Sequence, residues 1–193
     1  MDSAATNPET PRPGDPDWCA EWPLDDGRLV RFRHVRPEDE PLVTEAIRTA
    51  SRETLLHRFF SPIRSVSPDQ LRKMLAFDRA QQTCIVGLIT APDHTRVICG
   101  ARYVRLPKPD TAEVAITVHD DFQHRGLGTF LLQLLARLAV AEGIHWFEAY
   151  VMNSNRKMLN LFTKLAPNPI RRREPGDITH LRMEASAIAK KFL

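Results

Sequence analysis

Cysteine is scarce: the 193 residues hold three, Cys19, Cys84 and Cys99, odd in number and without a CxxC pair. That excludes a disulfide framework and a zinc ribbon, and the three read as reduced thiols. Cys84 and Cys99 fit small hydrophobes in strands. Long apolar runs are missing too. The strongest, 131–140, is broken by Gln133 and Arg137, so nothing approaches the roughly 20 apolar residues of a membrane span. The N-terminus is polar and Pro-rich, without the basic and apolar regions of a signal peptide, which points to the cytoplasm. His57, His119 and His124 are not at metal-ligand spacing and no HExxH occurs, so no metal is expected. What is present, 42% hydrophobic and 26% charged residues, is ordinary for a folded domain with a sizeable core.

Charge is unevenly spread. Residues 1–27 carry seven acids against Arg12, a net of −6, which leaves +9 on the remaining 166 residues. A basic folded part favours anionic partners. Five of the fifteen prolines precede residue 24. We therefore expect a leader over 1–17, one domain over 18–184 and a C-terminal tail over 185–193.

Leu29, Val30, Phe32 and Val35 interleave with Arg31, Arg33 and His34 near period 2 and predict a strand. Prolines and acids at 37–41 open a helix striped by Leu42, Val43, Ala46, Ile47 and Ala50. Helices over 52–60 and from Ser67 through Leu71, Met74, Leu75 and Phe77 follow. Runs 83–91 and 96–105 form a predicted hairpin, and 112–118 a third strand. A glycine-bearing turn then leads into a helix over 128–142, with Gly143 as its C-cap, a strand over 146–152, a helix over 155–165 and two short strands near 170 and 177–183. The predicted fold class is α/β.

The turn Gln123-His124-Arg125-Gly126-Leu127-Gly128 lies between strand and helix. First-turn amides lack intrahelical partners and carry the positive end of the helix dipole, a geometry that binds phosphate. Glycine at 126 and 128 lets a pyrophosphate approach the backbone, and Arg125 adds charge beside it. A dinucleotide site would need a third glycine where Leu131 stands and a second βαβ half; Glu148, 22 residues after Gly126, is the acid it would use.

Val118-x-x-x-x-Gln123-x-x-Gly126-x-Gly128 resembles the acetyl-CoA signature of the GCN5-related N-acetyltransferases, the GNAT family. Asn155-x-x-Met158-x-x-Leu161-Phe162-x-Lys164 looks like that family's second CoA-wall helix, and Val35-Arg36-Pro37-Glu38-Asp39 like its start, so the resemblance covers 27–184. Leu56-His57-Arg58-Phe59-Phe60-Ser61-Pro62 and Ala112-Glu113-Val114-Ala115-Ile116 are similar to segments of the bacterial protein lysine acetyltransferases that regulate acyl-CoA synthetases. The resemblance implies a mixed, mostly antiparallel twisted sheet with helices on both faces, splayed where acetyl-CoA enters. It implies CoA contacts from Ile116, Val118, Gln123, His124, Arg125, Gly126, Leu127, Gly128, Thr129, Asn155 and Met158. The extra regulatory domain often attached in those relatives finds no room in this chain.

Acetyl transfer to an amine needs a base to remove a proton from the ammonium. Glu113 shares its strand face with the small Ala115 and Thr117, which leaves room for a substrate, and the resemblance places the family's glutamate base there. On an apolar cleft wall its pKa would rise toward neutrality. Backbone N–H groups near Val118 would stabilise the thioester oxygen. The family's usual tyrosine acid is replaced by Phe162; Tyr150 and Ser154 are spare candidates, better read as core or turn residues, and Phe59-Phe60 reads as a core anchor. The run Arg171-Arg172-Arg173 lies on a predicted strand without aromatic interleaving, which argues against nucleic-acid binding. The expected acceptor is a protein lysine, for example on an acyl-CoA synthetase; a small amine, a peptide N-terminus and a non-catalytic acyl-CoA sensor are the alternatives.

Overall fold

A computed structural model describes residues 18–62, 66–67, 69, 71, 75, 78 and 80–190. The predicted leader, and Met74 and Phe77 of the third predicted helix, lie outside them; Asp69, Leu71 and Leu75 are helical as expected. Strands β1 (Cys19–Pro23), β2 (Leu29–His34), β3 (Gln82–Thr90), β4 (Thr95–Arg105), β5 (Thr111–Val118), β6 (Trp146–Met152), β7 (Ile170–Glu174) and β8 (Ile178–Glu184) form one sheet ordered β1-β2-β3-β4-β5-β6-β8-β7. All pairs are antiparallel except β5 with β6. Besides the helical Asp69, Leu71 and Leu75, the described residues form the helices α1 (Glu40–Thr49), α2 (Arg52–Phe59), α3 (Leu127–Ala141), α4 (Arg156–Leu165) and α5 (Ala185–Ala189).

Strand alternation divides the interior into two cores. Phe32, Ile85, Ala101, Val114, Ile116, Phe147 and Leu181 contribute to the larger one, closed by α3, α4 and α5. Because α3 packs among sheet and helices, ten of its fifteen residues are buried and it is apolar nearly all round. Only one stripe of α4, Leu159, Phe162 and Leu165, is buried. The smaller core joins Val35, Val86, Leu88 and Val97 to Leu71 and Leu75, with α1 laid over it by Leu42, Val43, Ala46 and Ile47. Residues 185–189, expected as the start of a tail, instead form α5, which buries Ala185 and Ile188.

Asp39 is 3% exposed and ends a 3-10 turn over Pro37–Asp39. Its carboxylate receives two Arg33 hydrogen bonds, both 2.7 Å, and the Arg36 N–H at 2.8 Å. Burial alone would raise its pKa; Arg33 and the Arg36 amide outweigh that and lower it. The outcome is a fixed entry into α1 from β2.

Candidate active site

β5 and β6 pair only at Thr111–Trp146, Ala112–Phe147 and Glu113–Glu148. From Val114 onward β5 remains bonded to β4 while β6 follows β8, so the sheet opens as a V. A cleft of about 490 Å³ lies at this opening, walled by β5, β6, α2 and the first turns of α3 and α4. Strand twist and the α3 crossover force the two strands apart; a backbone edge without a strand partner is then left to face whatever enters.

The turn after β5 carries the positive φ its glycine implied. Gly126 has φ +79° and caps α3, whose first intrahelical bond runs from Phe130 N–H to the Gly126 carbonyl. The amides of Leu127, Gly128 and Thr129 therefore have no acceptor within the helix. A Cβ on Gly126 would meet Trp22 at 3.4 Å, because the β1 edge packs behind the turn through Trp22 against Phe130, ring centroids 4.7 Å apart. His124 also takes positive φ, +64°.

Gln123 organises the turn more than it faces a ligand. Its Nε2 donates to the Val118 carbonyl at 3.2 Å and to Thr54 Oγ1 at 3.4 Å, while Oε1 accepts from Lys157 Nζ at 3.1 Å. One side chain thus links β5, α2 and α4. Asp120 makes a second link: it accepts from Ser51 N–H at 2.8 Å, Ser51 Oγ at 2.7 Å and Thr54 Oγ1 at 2.8 Å. Partial burial opposes these bonds, and they prevail, holding the carboxyl below its usual range. A third contact spans the cleft, His57 Nε2 with Ser154 Oγ at 3.3 Å.

Ile116, Val118, Gln123, His124, Gly126, Gly128, Thr129, Asn155 and Met158 all reach the cleft with Glu113. Two predicted residues do not. Arg125 turns away to Asp26, Nη1 to Oδ2 2.6 Å, so its charge is matched by a carboxylate from the β1–β2 turn. Leu127 is 1% exposed in the core, leaving only its backbone for the turn. Asn155 caps α4, its Oδ1 accepting from Met158 N–H at 3.1 Å. Glu113 departs from the apolar wall expected for it: the residue is exposed at the cleft mouth, beside Glu148.

Other expectations change as well. Phe162, which already leaves the tyrosine position without an acid, is buried in the larger core and also lines the cleft. Tyr150, read as a core residue, is 42% exposed, lines the cleft and stacks on His180 at 4.8 Å. Burial raises its pKa, and the carboxylates of Glu148 and Glu113 add to that. Phe60, read as a core anchor, is 40% exposed at the cleft in left-handed backbone, φ +56°. Asp120 and Lys157 join the site only through tertiary links, for which an acid just after a strand and a lysine on a helix carry no local signal. No group of metal-ligating side chains occurs among the described residues.

A sheet that opens beside a helix N-terminus whose first-turn amides have no intrahelical acceptor is a place where a phosphate-bearing ligand can be held. Residues 49–166 match the acetyltransferase (GNAT) family, and the chain belongs to it. The chain is similar to acetyltransferase PA5475 of Pseudomonas aeruginosa, 30% identical over 158 residues covering 82% of this chain and 84% of that one. It is 34% identical to acetyltransferase Pat of Mycolicibacterium smegmatis over 140 residues, 72% of this chain but 41% of that longer protein. Among solved structures, the GNAT domain of PAT from S. lividans superposes with a TM-score of 0.76 at 26% identity, covering 86% of this chain and 97% of that one. The fold is thus the GNAT fold, and the donor is acetyl-CoA. Among the described residues no helix is long and apolar enough to cross a membrane.

Proposed function

We propose that the enzyme acetylates a lysine ε-amine of a protein, with Glu113 as general base. The observation that carries this reading is the position of Glu113: exposed to an incoming amine, at the last paired position before β5 and β6 part. In the proposed step a Glu113 oxygen takes a proton from the ammonium, and the freed nitrogen attacks the thioester carbonyl. The C–N bond forms, the nitrogen of the tetrahedral intermediate gives up a second proton to water, the C–S bond breaks, and CoA leaves as a thiolate that collects a proton from water. Turn amides at 127–129 hold the pyrophosphate, and backbone N–H groups near Val118 face the thioester oxygen. An acyl-CoA synthetase is the first acceptor to test, on the resemblance of the segments around Arg58 and Glu113. Three free cysteines suit a reducing compartment, the cytoplasm.

Glu113→Gln tests the base. Turnover, followed by thiol release with lysine modification verified by mass spectrometry, should fall about 100-fold to 10,000-fold near neutral pH. CoA affinity should stay within about threefold, and the deficit should shrink as the ammonium loses its own proton at high pH. A variant within threefold of wild type at pH 7 puts the base elsewhere; turnover of free amines with no protein lysine modified removes the acceptor reading.

A further inference from the structure

On the α2 side of the sheet, Cys84, Arg102 and Ala115 lie in one cross-strand row, with Val86, Gly100 and Thr117 in the next. A mainly apolar cavity of about 130 Å³ sits over these rows, and Arg58 of α2 closes it. Arg58, Ala115 and Thr117 line this cavity and the cleft alike. Two guanidinium groups therefore face one small space beside Glu113. Neither forms an ion pair among the described residues; the one aromatic contact of Arg58 is with its neighbour Phe59, 5.2 Å from guanidinium to ring centroid. Of the two carboxylates close enough to be felt there, Asp39 is engaged by Arg33 and the Arg36 amide, and Glu113 stands at the cleft. Burial, with Arg102 next in weight, lowers the pKa of Arg58. Thr117 Oγ1 is buried without a hydrogen-bond partner, across from Gly100, whose missing side chain leaves the space open.

Like charges placed together in a partly buried, mainly apolar pocket, with an unpartnered buried hydroxyl on the wall it shares with the cleft, call for an anion. Resting on the lysine acetyltransferase reading, we propose that Arg58, Arg102 and Thr117 form a subsite for a carboxylate carried by the acceptor close to the lysine being acetylated. Water occupies about 30 Å³ per molecule, so the cavity has room for one aspartate or glutamate side chain and little more. The acceptor, not the donor, is the source, because the subsite shares the Glu113 face of β5 while the turn that takes the CoA pyrophosphate begins beyond its far end. Planar guanidinium groups match a carboxylate in two-point contact, and Thr117 supplies a further donor. The substrate class is then an acid-flanked lysine, which also suits the basic charge of the folded part.

The test uses lysine hexapeptides with Glu at −2, −1, +1 or +2, each paired with its Gln twin, and glutarate titrated calorimetrically into the CoA-saturated enzyme. At one position or more, kcat/KM should favour Glu at least about tenfold, through KM, as a paired and partly desolvated charge does. That ratio should fall below about threefold in Arg102→Gln and in Arg58→Gln, while Arg102→Lys, which keeps charge without the planar fork, is intermediate. Glutarate should bind wild type and not the Gln variants, whose folding is verified by circular dichroism and CoA affinity. Peptides acetylated without preference, and no Arg-dependent glutarate binding, overturn the subsite and leave the lysine reading intact. Arg-dependent glutarate binding with no lysine acetylated in any peptide or folded protein removes the lysine reading and leaves an anion site whose carboxylate is not the acceptor's, which overturns the proposal as stated. A preference for succinyl-CoA over acetyl-CoA that Arg102→Gln abolishes gives the pair to the acyl chain and overturns the proposal.

Discussion

Asp120→Ala removes the carboxylate that fastens the start of α2 to the loop before the glycine turn. Three hydrogen bonds of 2.7–2.8 Å disappear, from Ser51 N–H, Ser51 Oγ and Thr54 Oγ1. Bonds to a charged acceptor contribute about 1.5–3 kcal/mol each when dry, but this carboxylate and Ser51 are exposed, and water takes over much of the lost bonding. A net loss of about 1–3 kcal/mol follows, or roughly 3–10 °C in Tm for a domain of this size. The pH dependence identifies the cause. The folded-state pKa of Asp120 lies below the ordinary 3.8, so its contribution is complete above that value and is lost as pH falls through the folded pKa. The Tm gap between wild type and variant should therefore be equal at pH 7 and pH 5 and should close only below about pH 3.8. Differential scanning calorimetry between pH 3 and 7 measures this. Because α2 carries His57 and Arg58, the acceptor KM should rise more than the acetyl-CoA KM. An unchanged Tm, or a gap that closes near neutral pH, refutes the tether.

Gly126→Glu should weaken CoA binding 100-fold or more by calorimetry, because the side chain blocks the turn, adds a repelling charge, and puts a Cβ where φ is +79°, a strain of about 1–2 kcal/mol; unchanged affinity would sink the pyrophosphate assignment. Asp39→Ala should cost about 3 kcal/mol in urea unfolding, the low end for breaking a buried pair, since it strands Arg33, whose side chain is 19% exposed. Asp39→Asn, which keeps an acceptor for the Arg36 amide, should cost less; equal costs would mean that the retained acceptor contributes nothing and the lost charge accounts for the whole effect.

Local pattern alone determined much of this protein. The two runs that become β3 and β4, the alternation of β5 and the glycine turn into an apolar α3 are written in neighbouring residues, because strand period and positive φ act within a few positions. Glu113 and the turn could be named together because β5 runs directly between them. Tertiary structure decided what those residues meet. Parallel pairing sets Glu148 beside Glu113 and stops there, which exposes the glutamate that alternation had placed on an apolar wall. Arg125 reads as a phosphate ligand until the β1–β2 turn brings Asp26 to it across 99 positions. Arg58 and Arg102, 44 residues apart in the chain, become neighbours only when α2 is pinned by Asp120 over the β4–β5 rows. Such encounters depend on how strands pair and helices dock over long separations, and a short window of sequence carries no energy term for them.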